Sequence, residues 1–238
     1  HFIETASAHS RAGMARAHEQ RLTGPEGEHK PLIGISMFGL TTPAAEEARA
    51  TLTALGYECL VFHATGTGGR AMEKLVESGL LVGVCDVTTT ELADDLVGGV
   101  LSAGPERLEM AGRQGVPQVV SLGALDMVNF GPRASVPEKF DDRQFIVHNP
   151  TVTLMRTTRE ELTELGHRIG RKLAAATGPT SLFIPQRGLS GIDVDGGPFR
   201  DAEADAALFD TVRSELKGTR VTVVDRDQAI NDPGFGKA

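Results

Sequence analysis

The sequence has 238 residues, a formal charge of −8 at neutral pH, 40% hydrophobic residues and no tryptophan. That length suits one large α/β domain with or without an added segment, and it allows a core that needs no disulfide or metal crosslink. The negative charge argues against a nucleic-acid-binding protein, which needs a basic surface. No run of residues approaches the ~20 apolar positions that cross a bilayer, so we expect no membrane partner.

The two cysteines, Cys59 and Cys85, lie inside short apolar runs. Buried thiols of this kind usually act as small hydrophobic residues. Two cysteines without a spacing typical of small secreted domains favour a reducing compartment and no disulfide. We therefore expect a cytoplasmic protein.

The first thirty residues differ in character from the rest. Residues 1–22 are rich in alanine and favour a helix, whereas residues 22–30 combine glycine, proline and charged residues as linkers do. We interpret residues 1–30 as the linker or tail of a preceding domain. Residues 31–238 are then the C-terminal α/β domain of a two-domain protein.

From Pro31 onward, short apolar runs alternate with helical segments. The runs lie at residues 32–36, 58–62, 81–85, 118–122, 181–184 and 221–224, and the helical segments at 44–55, 71–78, 91–97, 106–113, 160–176 and 202–216. Continuous apolar runs are typical of strands buried on both faces. The alternation predicts a Rossmann-like, doubly wound, mostly parallel sheet with helices on both faces.

A glycine-rich loop follows the second predicted strand, and a threonine cluster follows the third. Ligands of open parallel sheets bind beyond the carboxyl ends of the strands. Glycine allows backbone N–H groups to approach an anion, and the start of the next helix adds a positive dipole. We therefore predict a site for ATP or another phosphate ligand made by Thr65, Gly66, Thr67, Gly68, Gly69 and Arg70, with Thr88, Thr89 and Thr90.

Two other interpretations of the glycine-rich loop stay open. It could be a turn without a ligand. It also matches the dinucleotide pattern G-x-G-x-x-A, with Gly66, Gly68 and Ala71, and Asp86 follows at the distance of a ribose-binding acid. That pattern normally follows the first strand of its unit, whereas this loop follows the second predicted strand. This difference weakens the dinucleotide interpretation.

Candidate catalytic residues lie in the later loops at the same edge. They are His148, Asp126, Ser190 and Asp193, with Asn129, Arg187 and Asp195 as neighbours. A histidine titrates near neutral pH and can act as a general base, while aspartates and a serine inside apolar stretches are usually paired or functional. The stretch Gly188-Leu-Ser-Gly-Ile192 lacks the last glycine of a nucleophile elbow, and no metal-ligand spacing is present, so we predict no metal site of the protein's own.

Six stretches together resemble one known family. They are KPLIGISMFGLTTP at residues 30–43, HATGTGGRAM at 63–72, DVTTTELAD at 86–94, GALDMVNFG at 123–131, HNP at 148–150 and GGPF at 196–199. They are similar to the uncharacterised bacterial and plant family related to the ATP-binding N-terminal half of the tomato mosaic virus resistance protein.

The resemblance implies two α/β domains of similar build, of which this chain is the second, with ATP as a cofactor. Asp86 could bind a hydrated Mg²⁺ ion as a second cofactor. The missing N-terminal α/β domain is then a partner, and we also expect a homo-oligomer. Three functions stay open: binding and converting a small phosphorylated metabolite, a non-enzymatic protein-interaction module stabilised by nucleotide, and a phosphosugar or nucleotide-sugar enzyme.

Overall fold

The computed structural model describes residues 30–238, so the helix and linker predicted before Lys30 lie outside the described residues. The strands are β1 (Leu32–Met37), β2 (Glu58–His63), β3 (Gly83–Thr88), β4 (Gln118–Gly123), β5 (Met127–Phe130), β6 (Phe145–Asn149), β7 (Val152–Arg156), β8 (Thr180–Pro185) and β9 (Thr222–Arg226). The α-helices are α1 (Thr42–Ala54), α2 (Thr67–Glu77), α3 (Glu91–Val97), α4 (Met110–Gln114), α5 (Arg159–Ala174) and α6 (Ala202–Leu216).

Six strands form a parallel sheet in the order β2-β1-β3-β4-β8-β9. The chain first steps from β1 to β2 on one side and then continues through β3 on the other side, so the order reverses between β1 and β3. In doubly wound sheets such a reversal opens a crevice beyond the carboxyl ends of the strands. The predicted α/β class and the parallel sheet are confirmed.

The hydrophobic core lies mainly on one face of this sheet. Val120 and Leu122 of β4 pack there with Leu182 of β8 against the long helices α5 and α6. The other face is covered by α1, whose Ala44 and Ala45 contact the β1 side chains. Alternate residues of each strand therefore serve two cores, as expected for a sheet with helices on both sides. No helix within residues 30–238 is long and apolar enough to span a membrane.

A second sheet of three antiparallel strands, in the order β5-β7-β6, follows β4. The sequence analysis placed Asn129 and His148 in loops, and this part of the prediction is wrong, because they lie in β5 and β6. All four residues of β5 are buried, so the strand lacks the polar–apolar alternation by which short strands are recognised. The insertion adds polar side chains to the carboxyl edge of the main sheet.

Helix α4 is shorter than the predicted segment 106–113 and begins only at Met110. Leu108 has a φ of 73°, which an α-helix does not accept. The preceding Arg107 is fully buried and points into the protein. The helical pattern is broken because this turn places a charged side chain inside the molecule.

Candidate functional site

The glycine-rich loop binds an anion, and that anion belongs to the protein. The backbone N–H groups of Gly66 and Gly69 donate to Oε1 of Glu91, at 2.6 Å and 3.1 Å. Gly66 is the N-cap of α2, where unpaired N–H groups and the helix dipole favour negative charge. A buried carboxylate of the protein therefore takes the inner donors of the loop, and the phosphate site assigned to this loop stays a prediction.

Arg107 holds the Glu91 carboxylate from the other side. Its Nε donates to Oε2 of Glu91 at 2.7 Å, and its terminal nitrogens bind Asp86 at 2.5 Å and 2.7 Å. The Ser36 hydroxyl also donates to Asp86, at 2.6 Å. Both Asp86 oxygens are thus engaged inside the protein, which removes the support that Asp86 gave to the dinucleotide interpretation.

The loop needs its glycines for this internal contact. A Cβ atom on Gly69 would overlap the Glu91 carboxylate, and one on Gly68 would overlap the His63 carbonyl oxygen. The N–H groups of Thr67 and Gly68, in the first turn of α2, donate to none of the described residues. These two donors are the part of the predicted phosphate cradle that the protein leaves open to a ligand.

The flanking side chains of the cradle have partners of their own. The Arg70 guanidinium is exposed and donates to the Ser102 carbonyl oxygen at 2.9 Å. The Thr65 hydroxyl donates to the His63 carbonyl oxygen at 3.3 Å. Their assignment to a phosphate site stays a prediction.

The threonine cluster is fully buried and bonded internally. Thr88 shares a hydrogen bond of 2.7 Å with Thr41, Thr89 donates to the Ser121 carbonyl oxygen, and Thr90 accepts from the Asn129 amide. These hydroxyls join the end of β3 to Thr41, to β4 and to β5. Their role in binding a ligand also stays a prediction.

A second charged cluster lies beyond the carboxyl ends of β4 and β8. Ala124, the residue after β4, has a φ of 57°, a left-handed conformation that costs energy in residues other than glycine. Its N–H donates to the Leu189 carbonyl oxygen beyond β8, at 2.8 Å. This turn aims Asp126 at Ser190, whose hydroxyl donates to Oδ2 of Asp126 at 2.8 Å.

Asp193 completes the pair of carboxylates. Its Oδ2 accepts from the Leu189 N–H at 2.9 Å. Asp126 and Asp193 are both fully buried. In each residue the other carboxylate oxygen, Oδ1, is buried and has no hydrogen-bond partner among the described residues. Oδ1 of Asp193 still lies within ion-pair distance of Arg156 and Arg200, whereas Oδ1 of Asp126 forms no ion pair with the described residues. A buried carboxylate oxygen of this kind is rare in a protein interior, so it marks a candidate site.

Two arginines and a third aspartate surround the pair. Arg156, from the end of β7, binds Asp205 at 2.7 Å and lies 3.9 Å from Asp193. Arg200 lies 2.5 Å from Asp205 and 3.6 Å from Asp193. Three carboxyl groups thus face two guanidinium groups, and one retained proton makes the cluster electrically neutral.

Burial raises the pKa of all three aspartates, so the proton is retained within this cluster. Burial raises the pKa of Asp126, and burial together with the neighbouring Asp126 charge raises the pKa of Asp193. Two interacting carboxyl groups titrate as a unit. The structure therefore presents a coupled group of buried acids with raised pKa values, with the Ser190 hydroxyl against Asp126.

The other candidate residues do not join this pair. Asn129 donates to the buried Asp94 at 2.7 Å, and burial raises the pKa of Asp94 to about 7. His148 is exposed on the edge strand β6. Arg187 and Asp195 are exposed and lie 3.4 Å from each other. Asp193 is therefore buried in the pair, whereas Asp195 lies at the surface.

The sequence analysis assigned no role to Arg156, Arg200 and Asp205, or to Glu91 and Arg107. Arg200 and Asp205 lie five positions apart, but Arg107 binds Glu91 across 16 positions and Arg156 binds Asp205 across 49, so no local pattern reveals the clusters. The available signal was a charged residue close to the end of a predicted strand, as with Glu91 after β3. Within residues 30–238, no group of three or more His, Cys, Asp or Glu side chains has the geometry to hold a metal ion.

Residues 30–238 match the family model described as the C-terminal domain of the uncharacterised protein family UPF0261. The chain belongs to this family. It is 51% identical over 236 residues to a UPF0261 protein of Clostridium tetani, covering 99% of this chain. It is 48% identical over 233 residues to one of Mesorhizobium japonicum, covering 98% of this chain.

A plant relative confirms the resemblance seen in the sequence. The ToMV resistance protein Tm-1 of Solanum lycopersicum is 42% identical over 207 residues, which is 87% of this chain. The chain spans 57% of the length of each of the two bacterial relatives and 28% of the plant protein. The similarity therefore concerns only part of each of these longer proteins.

Proposed function

We propose that this chain is the ligand-binding half of a two-domain protein that acts on a small phosphorylated metabolite or ATP. Asp126 and Asp193 serve as its acid–base pair. The observation that carries the proposal is the buried group of aspartates beyond β4 and β8, in which Oδ1 of Asp126 has no partner among the described residues. Carboxyl pairs with raised pKa values at a sheet's ligand edge are characteristic of active sites.

The chemistry follows from the shared proton. The protonated member of the pair can donate to a ligand oxygen, and the ionised member can accept a proton from it. Ser190 fixes the orientation of Asp126. Arg200, whose side chain is 19% exposed, connects the pair to solvent and supplies positive charge to an anionic ligand.

The pair is closed to solvent, so a ligand reaches it only when the covering chain moves. Ser190 and Asp193 lie in the segment of residues 186–201, which carries four glycines between β8 and α6. Closing loops that exclude water are common in enzymes. Under the proposal this segment opens for the ligand and closes around it.

The phosphate group would bind at the start of α2. Support comes from the free N–H groups of Thr67 and Gly68 and from the nearby Arg70. Mg²⁺ would enter with ATP and be held by its phosphates. Because Glu91 already occupies the inner donors, the phosphate would lie on the outer turn of the loop.

Thermal unfolding of the whole two-domain protein, with ATP and Mg²⁺ or with inorganic phosphate, tests both parts. A ligand present at 100 times its Kd stabilises by about 2.7 kcal/mol. We expect Asp126→Asn and Ser190→Ala to reduce the stabilisation by a phosphorylated metabolite. Arg70→Ala should reduce the stabilisation by phosphate itself.

The matched control is His148→Ala, an exposed residue outside the pair. It should leave the ligand-induced shift unchanged. If the shift survives Asp126→Asn and Ser190→Ala but is lost in His148→Ala, the site lies at the small sheet and the proposal is wrong.

A further inference from the structure

The chain that follows β9 passes over the carboxyl edge of the sheet toward α1. We call its residues 227–236 the strap, and we call residues 186–201, which carry Asp193, the covering segment. The Ile230 N–H of the strap donates to the Gly188 carbonyl oxygen at 3.0 Å. This bond lies beyond the ends of β8 and β9, so the strap holds the covering segment itself and not only the sheet.

Further contacts join the strap and the covering segment. The Arg187 N–H donates to the Gln228 carbonyl oxygen at 3.1 Å. The Leu40 carbonyl oxygen, in the turn between β1 and α1, accepts from both pieces: from the Gly191 N–H at 2.9 Å and from Nδ2 of Asn231 at 2.8 Å. Because one oxygen anchors both pieces to the turn before α1, a displacement of the strap loosens the covering segment next to the aspartate cluster.

The far end of the strap is fastened to α1. The Glu47 carboxylate of this helix accepts from the Gly234 N–H at 2.9 Å and from the Gly236 N–H at 3.0 Å. Between these two glycines, Phe235 is buried in the same apolar cluster as Ala44 of α1. The Glu47 carboxylate accepts from no other group of residues 30–238, so its role within them is to hold the strap.

The opposite end of the covering segment is held more firmly. Arg156 is buried, and it donates to the Phe199 carbonyl oxygen and to Asp205, both at 2.7 Å. Charge-assisted bonds of this kind are stronger than bonds between neutral amides. On the strap side, Glu47 and Asn231 are only half-buried. Because parts held by partly exposed hydrogen bonds open at a lower cost in free energy, the strap side opens before the Arg156 side.

We propose that the strap is a latch that keeps the covering segment closed over the aspartate cluster. When the bonds at Glu47 and at the Leu40 carbonyl oxygen break, the covering segment turns outward about its Arg156 end and uncovers Asp126 and Asp193. The latch rests on the proposed function, because it controls the access of a ligand to the same aspartates. It gives α1 and the strap, which lie outside the cluster, control over the fraction of molecules that are open.

Amide hydrogen exchange of the full chain without ligand tests the latch. The Leu189 N–H donates into the aspartate cluster, so its exchange reports the opening of the covering segment. The Val120 N–H, in the inner strand β4, reports global unfolding. Glu47→Ala removes the acceptor that holds the end of the strap. We expect exchange at Leu189 to become about tenfold faster, with a much smaller change at Val120.

Glu46→Ala is the matched control, because the Glu46 carboxylate pairs with the exposed Arg49 on the same helix, and it should change neither rate. Asn231→Ala removes the strap's donor at the turn before α1 without altering that helix, and it should also speed exchange at Leu189. Unchanged exchange at Leu189 in both strap variants overturns the latch. Equal acceleration in the inner strand also overturns it, because the strap then stabilises the fold as a whole.

The rate of ATP binding to the whole two-domain protein, measured by stopped flow with Mg²⁺ present, separates the latch from the proposed function. If both hold, Glu47→Ala speeds association because a larger fraction of molecules is open. Faster exchange at Leu189 with an unchanged association rate supports the latch and counts against the proposed function. Faster association with unchanged exchange overturns the latch and leaves the proposed function standing.

Discussion

The two buried charged clusters differ in how completely their oxygens are partnered. In the Arg107 cluster, every carboxylate oxygen of Asp86 and Glu91 accepts at least one hydrogen bond. In the second cluster, Asp126 and Asp193 each keep one oxygen without a hydrogen bond from the described residues, and that of Asp193 has only long ion-pair contacts with Arg156 and Arg200. Because an unpaired buried polar atom costs about 1–3 kcal/mol, the first cluster stabilises the fold, and the second retains binding capacity that the fold does not use.

Removing the arginine of the first cluster should have the largest effect. Arg107→Met leaves Asp86 and Glu91 buried without their counter-ion, so we expect a loss of about 3–5 kcal/mol in the free energy of unfolding. Urea denaturation measures it. The control Arg113→Met, at an exposed side chain, should change stability by less than about 0.5 kcal/mol. A loss below about 1 kcal/mol for Arg107→Met would show that this cluster is not structural.

The glycine-rich loop gives the next largest effect. Gly69→Ala places a methyl group against the Glu91 carboxylate, and overpacking of this kind costs about 1–3 kcal/mol. Gly39→Ala is the matched control, since a Cβ atom there meets nothing within 4 Å. If both variants unfold at the same urea concentration, the contact between the loop and the Glu91 carboxylate does not require a glycine at position 69.

The pH dependence of the free energy of unfolding should reveal the proton that the second cluster retains. The folded state raises the pKa of Asp193, so the native protein keeps a proton that the unfolded chain releases. Stability therefore falls as the pH rises from about 4 through neutrality, by at most about 1.4 kcal/mol per pH unit for each such proton. Asp193→Asn should reduce this decrease, as measured by denaturation at pH 5 and pH 8.

Asp195→Asn is the control for that measurement. Hydrogen bonds from Arg187 and Arg200 lower the pKa of Asp195, so its contribution is lost only as the pH falls toward the acid range. The decrease between pH 5 and pH 8 should persist in this variant. An identical pH course in Asp193→Asn and the unaltered protein would rule out a proton on the carboxyl pair.

The sequence was sufficient for the layered fold because each layer leaves a local pattern. Helices α3 and α6 have the predicted bounds, and the six parallel strands coincide with continuous apolar runs. The small antiparallel sheet left no such pattern. Its strand β5 is only four residues long and buried throughout, so it resembles the apolar loops around it.

The site was predictable only in part, for a related reason. The glycine-rich loop carries the local chemistry of an anion site, but its anion, Glu91, lies 22 positions after Gly69. In the sequence, Asp126 and Ser190 are two separate polar residues near the ends of predicted strands. Their hydrogen bond joins positions 64 apart, and it exists only because the sheet brings β4 and β8 side by side.

Glu91 also determines how this part of the molecule can open. Its carboxylate joins the start of α2 to the start of α3 and to Arg107. If the start of α2 or of α3 moved away alone, it would leave either the Glu91 carboxylate or the N–H groups of Gly66 and Gly69 buried without a partner. The two βα units therefore open together as one cooperative unit, and the amide protons of Gly66 and Gly69 should exchange with solvent at the rate set by that shared opening.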